Sequence, residues 1–76
     1  MADLPSISGK EAVKAFERAG WATVRIGSSR HIIMKKKGMA TTLSVPDHRI
    51  LDRGLLRALI RDAFLSVEEF RKLLDR

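Results

Sequence analysis

The segment Ser28–Gly38 reads SSRHIIMKKKG: a small polar turn, a short apolar run and a basic end. It contains His31, one of only two histidines in the chain, directly after Arg30. An imidazole can carry a proton near neutral pH, and neighbouring cations can hold a phosphate group and the charge that develops on it. The segment therefore suggests phosphodiester chemistry, although a plain β-strand with a basic end would have the same composition.

Short turns on both sides place this segment in the middle of a predicted sheet. Residues 21–26 alternate in polarity with a period of two and predict a first strand, residues 30–36 a second and residues 39–45 a third. The connections at residues 27–29 and 37–38 contain glycine and are typical of turns. Because such short turns join antiparallel neighbours, we expect a three-stranded antiparallel meander.

Helices are predicted before and after the strands. Ser8 and Glu11 form a capping-box pattern that begins a helix over residues 9–19. Asp52 can cap a second helix, and Ser66 begins a short last one. The order of elements predicts an α+β fold in which apolar helix stripes cover one face of the sheet and leave the other face open.

The open face is expected to carry a histidine, cations and hydroxyl groups. If Ile32 and Met34 face the core, alternation turns the odd-numbered residues of the strand outward. The opposite register would bury Lys35 without a partner, which is costly. The residues expected on the open face are His31, Ile33, Lys35, Thr23, Arg25, Thr42 and Ser44, with Trp21 on the same side of its strand.

Length and composition restrict the function. Seventy-six residues predict a single domain, residues 1–76, with a thin core and an exposed active site. The absence of cysteine excludes disulfides and thiolate metal sites, and two histidines with scattered carboxylates make a poor zinc site. We therefore expect no metal and no cofactor. No apolar run is long enough for a membrane span and no signal-peptide pattern is visible, so a cytoplasmic location is expected.

The charge of the chain favours a polyanionic partner. Fifteen Lys and Arg against nine Asp and Glu give a net charge of +6 and a pI near 10.6. The excess is uneven, because the stretch from Arg25 to Lys37 holds five Lys or Arg and no acidic residue. Such a stretch predicts binding to the phosphate backbone of a nucleic acid.

RNA cleavage would assign roles to these residues. RNA supplies its own nucleophile, the 2′-OH, so an enzyme must move protons and stabilise the transition state. His31 is the predicted proton-transfer group, whereas His48, on a loop, is better explained as a solvated side chain. The predicted RNA-binding and phosphate-binding residues are Arg25, Arg30, Lys35 and Lys36; of these, Lys36 would steer RNA from a distance, together with Lys37. Trp21 is either a stacking platform for a base or a packed residue at the helix junction.

Two other functions fit parts of the pattern. A non-catalytic RNA-binding module would need the basic face but not His31. A DNA-binding helix-turn-helix protein would use a basic helix such as the one that carries Arg53, Arg57 and Arg61, but the predicted meander argues against it.

Nearly the whole chain resembles the HicA toxins, small mRNA interferases of bacterial and archaeal toxin–antitoxin pairs. The resemblance rests on short motifs that follow one another in the family's order: Leu4-Pro5, Ser8-Gly9-Lys10-Glu11, Ala19-Gly20, Ser28-Ser29-Arg30-His31, Val45-Pro46-Asp47-His48, Gly54-Leu55-Leu56-Arg57 and Glu68-Glu69-Phe70.

This resemblance implies a fold like that of double-stranded RNA-binding domains, α-β-β-β-α, and metal-independent cleavage of mRNA with His31 as the catalytic residue. It also implies a HicB-like antitoxin that covers the open face. The chain departs from the family at two positions. Ser28 replaces a usual glycine, which would change the turn before His31. Phe64 stands where a glycine commonly follows the second helix, and we expect its ring to add to the core.

Overall fold

The computed structural model describes residues 4–74, in which helices and strands follow one another in the predicted order. The elements are α1 (Gly9–Arg18), β1 (Ala22–Ile26), β2 (His31–Lys35), β3 (Thr42–Pro46), α2 (Arg53–Asp62) and α3 (Val67–Leu73). The strands form one antiparallel sheet in the order β1-β2-β3. The predicted α+β fold is therefore confirmed.

The helices pack on the sheet face that carries the apolar side chains of the central strand. Ile32 and Met34 of β2 are buried, as are Leu43 and Val45 of β3, so the predicted alternation of β2 is confirmed. From the helices, Phe16 and Phe70 meet in the core with ring centroids 5.1 Å apart. Within residues 4–74, no helix has the length and apolar character needed to cross a membrane.

The start of α1 is locked to the end of β3. The predicted capping box is present: Ser8 Oγ accepts a hydrogen bond from the Glu11 amide, and Glu11 Oε1 accepts one from the Ser8 amide, both at 3.1 Å. The amide of Gly9 donates to the carbonyl oxygen of His48 at 2.9 Å. A side chain at Gly9 would overlap the carbonyl oxygen of Pro46, so this contact requires glycine.

A bulge in β1 changes which of its residues share a face. Thr23 lies opposite Met34 and Arg25 opposite Ile33, so Val24 is an extra residue between the two pairs. Since opposed residues point to the same side of a sheet, Arg25 lies on the open face and Thr23 on the helix side. The expectation that Thr23 joins the open face is wrong, because one inserted residue reverses the alternation.

β1 also contributes nothing to the core. Val24 and Ile26 keep 52% and 62% of their surface exposed, although alternation predicted an inward face for them. β1 is an edge strand, and the buried sheet residues come from β2 and β3. The residue just before β1, Trp21, is 2% exposed, so of its two predicted placements the packed one is correct.

Two turns shorten the predicted strands. Ser28–Arg30 form a tight 3₁₀ turn, so β2 begins at His31. After β2, the amide of Met39 donates to the carbonyl oxygen of Lys36 at 3.0 Å, and β3 begins only at Thr42. Gly38 in this turn has a φ of 83°, which glycine adopts without steric cost.

The end of α2 corrects the expectation for Phe64. The helix ends at Asp62 and is followed by Ala63, and Phe64 then adopts a left-handed backbone with a φ of 60°. This is the position at which helices usually place glycine. The Phe64 ring does not add to the core, because the residue is 76% exposed.

Candidate active site on the open sheet face

A shallow groove of about 240 Å³ lies on the open face, at the end of β1 and the start of β2. His31 and Ile33 of β2 lie beside Arg25 of β1 and Ser44 of β3, as the strand register requires. The turn between β1 and β2 closes one end of the groove. Its lining residues are Arg25, Gly27, Ser28, Ser29, His31, Ile33 and Ser44, and we call this feature the His31 groove.

The imidazole of His31 is oriented by the turn that precedes it. Its Nδ1 lies 3.3 Å from the carbonyl oxygen of Ser28. A carbonyl oxygen can only accept a hydrogen bond, so this contact places the proton of the neutral ring on Nδ1. Nε2 is then the nitrogen with a free lone pair, which is the form a general base needs.

The same turn has a strained backbone. Ser29 and Arg30 have φ values of 57° and 60°, in the left-handed region that non-glycine residues rarely adopt. Each such residue costs on the order of 1–3 kcal/mol, and strain of this kind collects at functional sites. Ser28, where the family usually has glycine, lies outside this region and fits the turn without strain.

Arg25 supplies the positive charge of the groove. A Cβ built on Gly27 would lie 3.4 Å from Arg25 Nη1 and 3.6 Å from the carbonyl oxygen of His31, so the guanidinium lies close to the turn. Within residues 4–74, no carboxylate pairs with Arg25. Its five N–H donors are therefore available to an anion bound beside His31.

Comparisons with known proteins agree with the motifs of the sequence. A family model described as the HicA toxin of bacterial toxin–antitoxin matches residues 9–65, which is most of the chain. The chain belongs to the HicA toxin family. Comparisons with curated proteins and with solved structures gave no significant match.

In this HicA chain, the other cations predicted to bind RNA lie outside the groove. Lys35 shares the open face but stands four residues from His31 along β2, about 13 Å at the rise of a strand. Arg30 is 82% exposed, and its guanidinium lies 3.8 Å from the carboxylate of Asp47. Their part in binding RNA stays a prediction.

Lys36, which was predicted to steer RNA from a distance, instead contacts the end of α1. Its Nζ donates to the carbonyl oxygen of Ala19 at 2.8 Å, and its side-chain carbons lie over Gly20 at the end of α1. A cation at this point satisfies a helix carbonyl and suits the negative end of the helix dipole. This geometry favours a structural role for Lys36 over contact with phosphate.

His48 lies on the loop after β3 and is exposed. Its backbone oxygen holds Gly9, as described above, whereas its imidazole makes no hydrogen bond within residues 4–74. Nothing in this geometry favours His48 over His31 as a proton-transfer group.

The residues that line the groove include no carboxylate. No Asp or Glu occurs between Glu17 and Asp47, so the whole sheet lacks acidic residues before the end of β3, and the carboxylate of Asp47, which follows β3, lies beside Arg30. Among the described residues, no three His, Cys, Asp or Glu side chains come together to hold a metal ion. The groove therefore offers a phosphate a cation and an imidazole without an opposing charge in its lining.

The sequence did not identify every residue of the groove. Gly27 and Ser29 were predicted only as parts of a turn, yet they line the groove beside His31. A signal was present, because a glycine and two serines, separated from His31 only by Arg30, are an unusual start for a strand.

Proposed function

We propose that this toxin is an endoribonuclease that cuts mRNA, with His31 as its catalytic residue. The observation that carries the proposal is the His31 groove, which brings together an oriented imidazole and an arginine that has no ion pair within residues 4–74, in a lining without carboxylates. Membership of the HicA family supports the same function.

His31 would transfer the proton of the nucleophile. In RNA, the 2′-OH attacks the adjacent phosphorus, and the bond from phosphorus to the 5′-oxygen of the next nucleotide breaks. The lone pair on Nε2 takes the 2′-OH proton, and the carbonyl oxygen of Ser28 steadies the imidazolium that forms through Nδ1. The leaving 5′-oxygen takes up a proton from solvent and the imidazolium releases its proton to solvent, so the products are a 2′,3′-cyclic phosphate and a 5′-hydroxyl, with His31 returned to its starting form.

Arg25 would stabilise the phosphate during this step. The pentacoordinate transition state carries more negative charge on its oxygens than the starting diester, and a fixed guanidinium can donate two hydrogen bonds to it. Lys35 and Arg30 lie farther from His31 and are suited to holding neighbouring phosphates. Ser44 offers a hydroxyl within the groove.

Cleavage of labelled RNA by the purified chain in EDTA tests this function. His31→Ala should lower the cleavage rate by about 10² to 10⁴, the usual contribution of one acid–base group. His48→Ala removes the other histidine, which is exposed on a loop, and should leave the rate unchanged. Both variants should melt close to the parent, because His48 is exposed and the half-buried His31 lies on the open face, outside the core.

Other results would contradict the proposal. If a folded His31→Ala protein cleaved RNA at the parent rate, His31 would not be the catalytic residue. A parent chain that binds RNA without cutting it would be a non-catalytic RNA-binding module, the alternative left open by the sequence.

An antitoxin similar to HicB is the proposed protein partner. A toxin of a toxin–antitoxin pair needs an inhibitor, and covering the His31 groove would block cleavage. The basic sheet suits an acidic partner, and Val24 and Ile26 of the edge strand β1 add exposed apolar surface. Coexpression of the adjacent gene product should restore growth, and a product that neither binds nor relieves toxicity would refute this partner.

A further inference from the structure

A row of arginines on α2 is not used by the His31 groove. Arg53, Arg57 and Arg61 are exposed and stand four residues apart. Residues four apart lie on the same side of a helix, about 6 Å from each other along its axis, so the row spans about 12 Å. We call these three residues the α2 arginine stripe.

Only one end of the stripe suits the helix that carries it, because Arg61 lies in the last turn of α2, where the helix dipole favours a cation. Like charges four residues apart repel each other, and Arg53, the first residue of α2, stands where the dipole disfavours a cation. By contrast, α1 and α3 both have acidic residues in the first turn, which α2 lacks. The pattern on α2 therefore calls for an explanation outside the fold.

Few groups of the protein satisfy these guanidiniums. Arg61 lies 3.8 Å from Asp62 with its own side chain 80% exposed, and Arg53 reaches Ser6 Oγ at 3.4 Å. Within residues 4–74, Arg57 has neither an ion pair nor a side-chain hydrogen bond. The stripe is open to an external anion.

Phe64 lies just beyond the stripe, at a position where the backbone conformation is strained for any residue other than glycine. Its amide donates to the carbonyl oxygen of Arg61 at 3.0 Å, its φ is 60°, and 76% of its surface is exposed. Glycine would avoid the backbone strain, and an exposed ring gains no burial in return. An exposed aromatic ring beside arginines is the arrangement on which bases of single-stranded nucleic acids stack.

The chain leads directly from the groove to the stripe. Pro46, at the end of β3, lies opposite His31 in the sheet, and six residues separate it from Arg53. α2 packs against β3, and His48 and Arg49 are exposed on the loop between them. A strand that leaves the groove around β3, an edge strand of the sheet, would pass His48 and Arg49 and also the carboxylates of Asp47 and Asp52 before it reaches the stripe.

We propose that the α2 arginine stripe and Phe64 form a second RNA-binding surface, which holds the part of the substrate that flanks the cleavage site. The phosphates bind the three guanidiniums, and one base stacks on Phe64. Arginine suits this role because its planar fork can bind a phosphate through two hydrogen bonds. Gly54 and Ala58, on the same helix, provide no large apolar centre of the kind that a protein interface requires. The inference rests on the proposed function for its substrate, RNA.

The test compares two triple variants with the same loss of charge. Arg53→Gln, Arg57→Gln and Arg61→Gln remove the stripe; Lys10→Gln, Lys14→Gln and Arg71→Gln remove three exposed cations from α1 and α3. Both sets are made in the His31→Ala protein, so that the RNA stays intact. Affinity is measured against salt for a single strand longer than the groove. Loss of three phosphate contacts should make the negative log–log slope of the stripe variant shallower by about 2, at about 0.7 per contact. The slope of the control should stay near that of the His31→Ala protein.

Phe64 is tested separately, because its substitution should change the melting temperature and the RNA affinity in opposite directions. Phe64→Gly should raise the melting temperature by relieving the left-handed backbone, yet lower the affinity for the long RNA about tenfold through loss of one stacked base. Phe64→Trp should keep the affinity. A structural role for the ring predicts the opposite result, with a lower melting temperature and unchanged binding.

The outcomes separate this inference from the proposed function. If Arg25→Gln weakens RNA binding but the stripe variant behaves like its control, the second surface is refuted and the groove stands. If the stripe variant loses only its affinity for the antitoxin, the stripe is a protein-docking surface and the inference is also refuted. If the parent neither binds nor cuts RNA, both fail.

Discussion

Gly9 lies where the first turn of α1 meets the end of β3, and its missing side chain is what allows the two to touch. The helix amide bonds directly to the loop that follows β3, and the carbonyl oxygen of Pro46 occupies the space of a side chain. Because Pro46 lies opposite His31, this contact also supports the strand end beside the groove. A residue with no chemistry of its own therefore helps to hold the strand end beside the His31 groove.

Gly9→Ala should consequently destabilise the protein. The new methyl group would overlap a backbone oxygen, which cannot rotate away as a side chain could, so α1 or the loop has to shift. Insertion of extra atoms into tight packing typically costs about 1–3 kcal/mol, which would lower the melting temperature of so small a protein by several degrees at least. Thermal melting measures this effect. Lys10→Ala, at the next and exposed residue, is the control and should stay within about 0.5 kcal/mol of the parent.

At the scale of the elements, helix starts and the buried face of β2 could be predicted, because local sequence patterns determine them. Capping boxes located the starts of α1 and α3, and the apolar alternation of β2 located the core face. The bulge in β1 could not be predicted in this way. Both faces of that strand are exposed, so burial does not select one register, and the inserted residue leaves no mark on the alternation of residue types.

Side-chain placement was predictable only where burial or register determines it. Arg25 reaches the groove, as the alternation of its strand predicted, whereas the bulge removes Thr23 from that face, a feature visible only in the fold. Lys36 belongs to a run of three lysines in the sequence, yet it alone among them bonds to the end of α1. That contact depends on how a helix and a turn meet, which no local pattern records.

The capping box of α3 makes a prediction about pH. Hydrogen bonds from the backbone and side chain of Ser66 lower the pKa of Glu69 below its ordinary value, with a smaller contribution from Lys72. A carboxyl whose pKa is lowered on folding stabilises the protein above its unfolded pKa, and the stabilisation is lost as pH falls through the folded pKa. Glu69→Gln should therefore melt below the parent at neutral pH and converge with it in acid. Melting curves at several pH values measure this, and a difference that does not change with pH would contradict it.

At the scale of the whole molecule, positive charge is concentrated on the sheet. All nine acidic residues lie before β1 or after Val45, whereas five Lys or Arg stand between Arg25 and Lys37. The chain measures about 33 × 28 × 19 Å, whereas the Debye length at physiological salt is about 8 Å, so each charge of the sheet acts mainly on groups close to it. A polyanion that contacts the open face would therefore interact with these cations one by one.

This distribution predicts that affinity for RNA falls steeply with salt. Each neutralised phosphate of a single strand contributes about −0.7 to the log–log slope, so a few contacts give a slope near −2 or steeper. Titration of labelled RNA with the His31→Ala protein at several salt concentrations measures the slope. An affinity that is flat from low to physiological salt would show that the sheet charges do not contact the backbone.

The irregular first strand also affects how free copies of the toxin meet each other. β1 is the edge of the sheet, and its outer row of amides and carbonyls has no strand partner within the described chain. A straight apolar edge would be a template on which further copies polymerise. The extra residue at Val24 interrupts the spacing that such stacking needs, and Arg25 would oppose its counterpart in an approaching copy. The irregularity that moves Thr23 off the open face thus also makes this edge of the sheet a poor template for a second copy of the toxin.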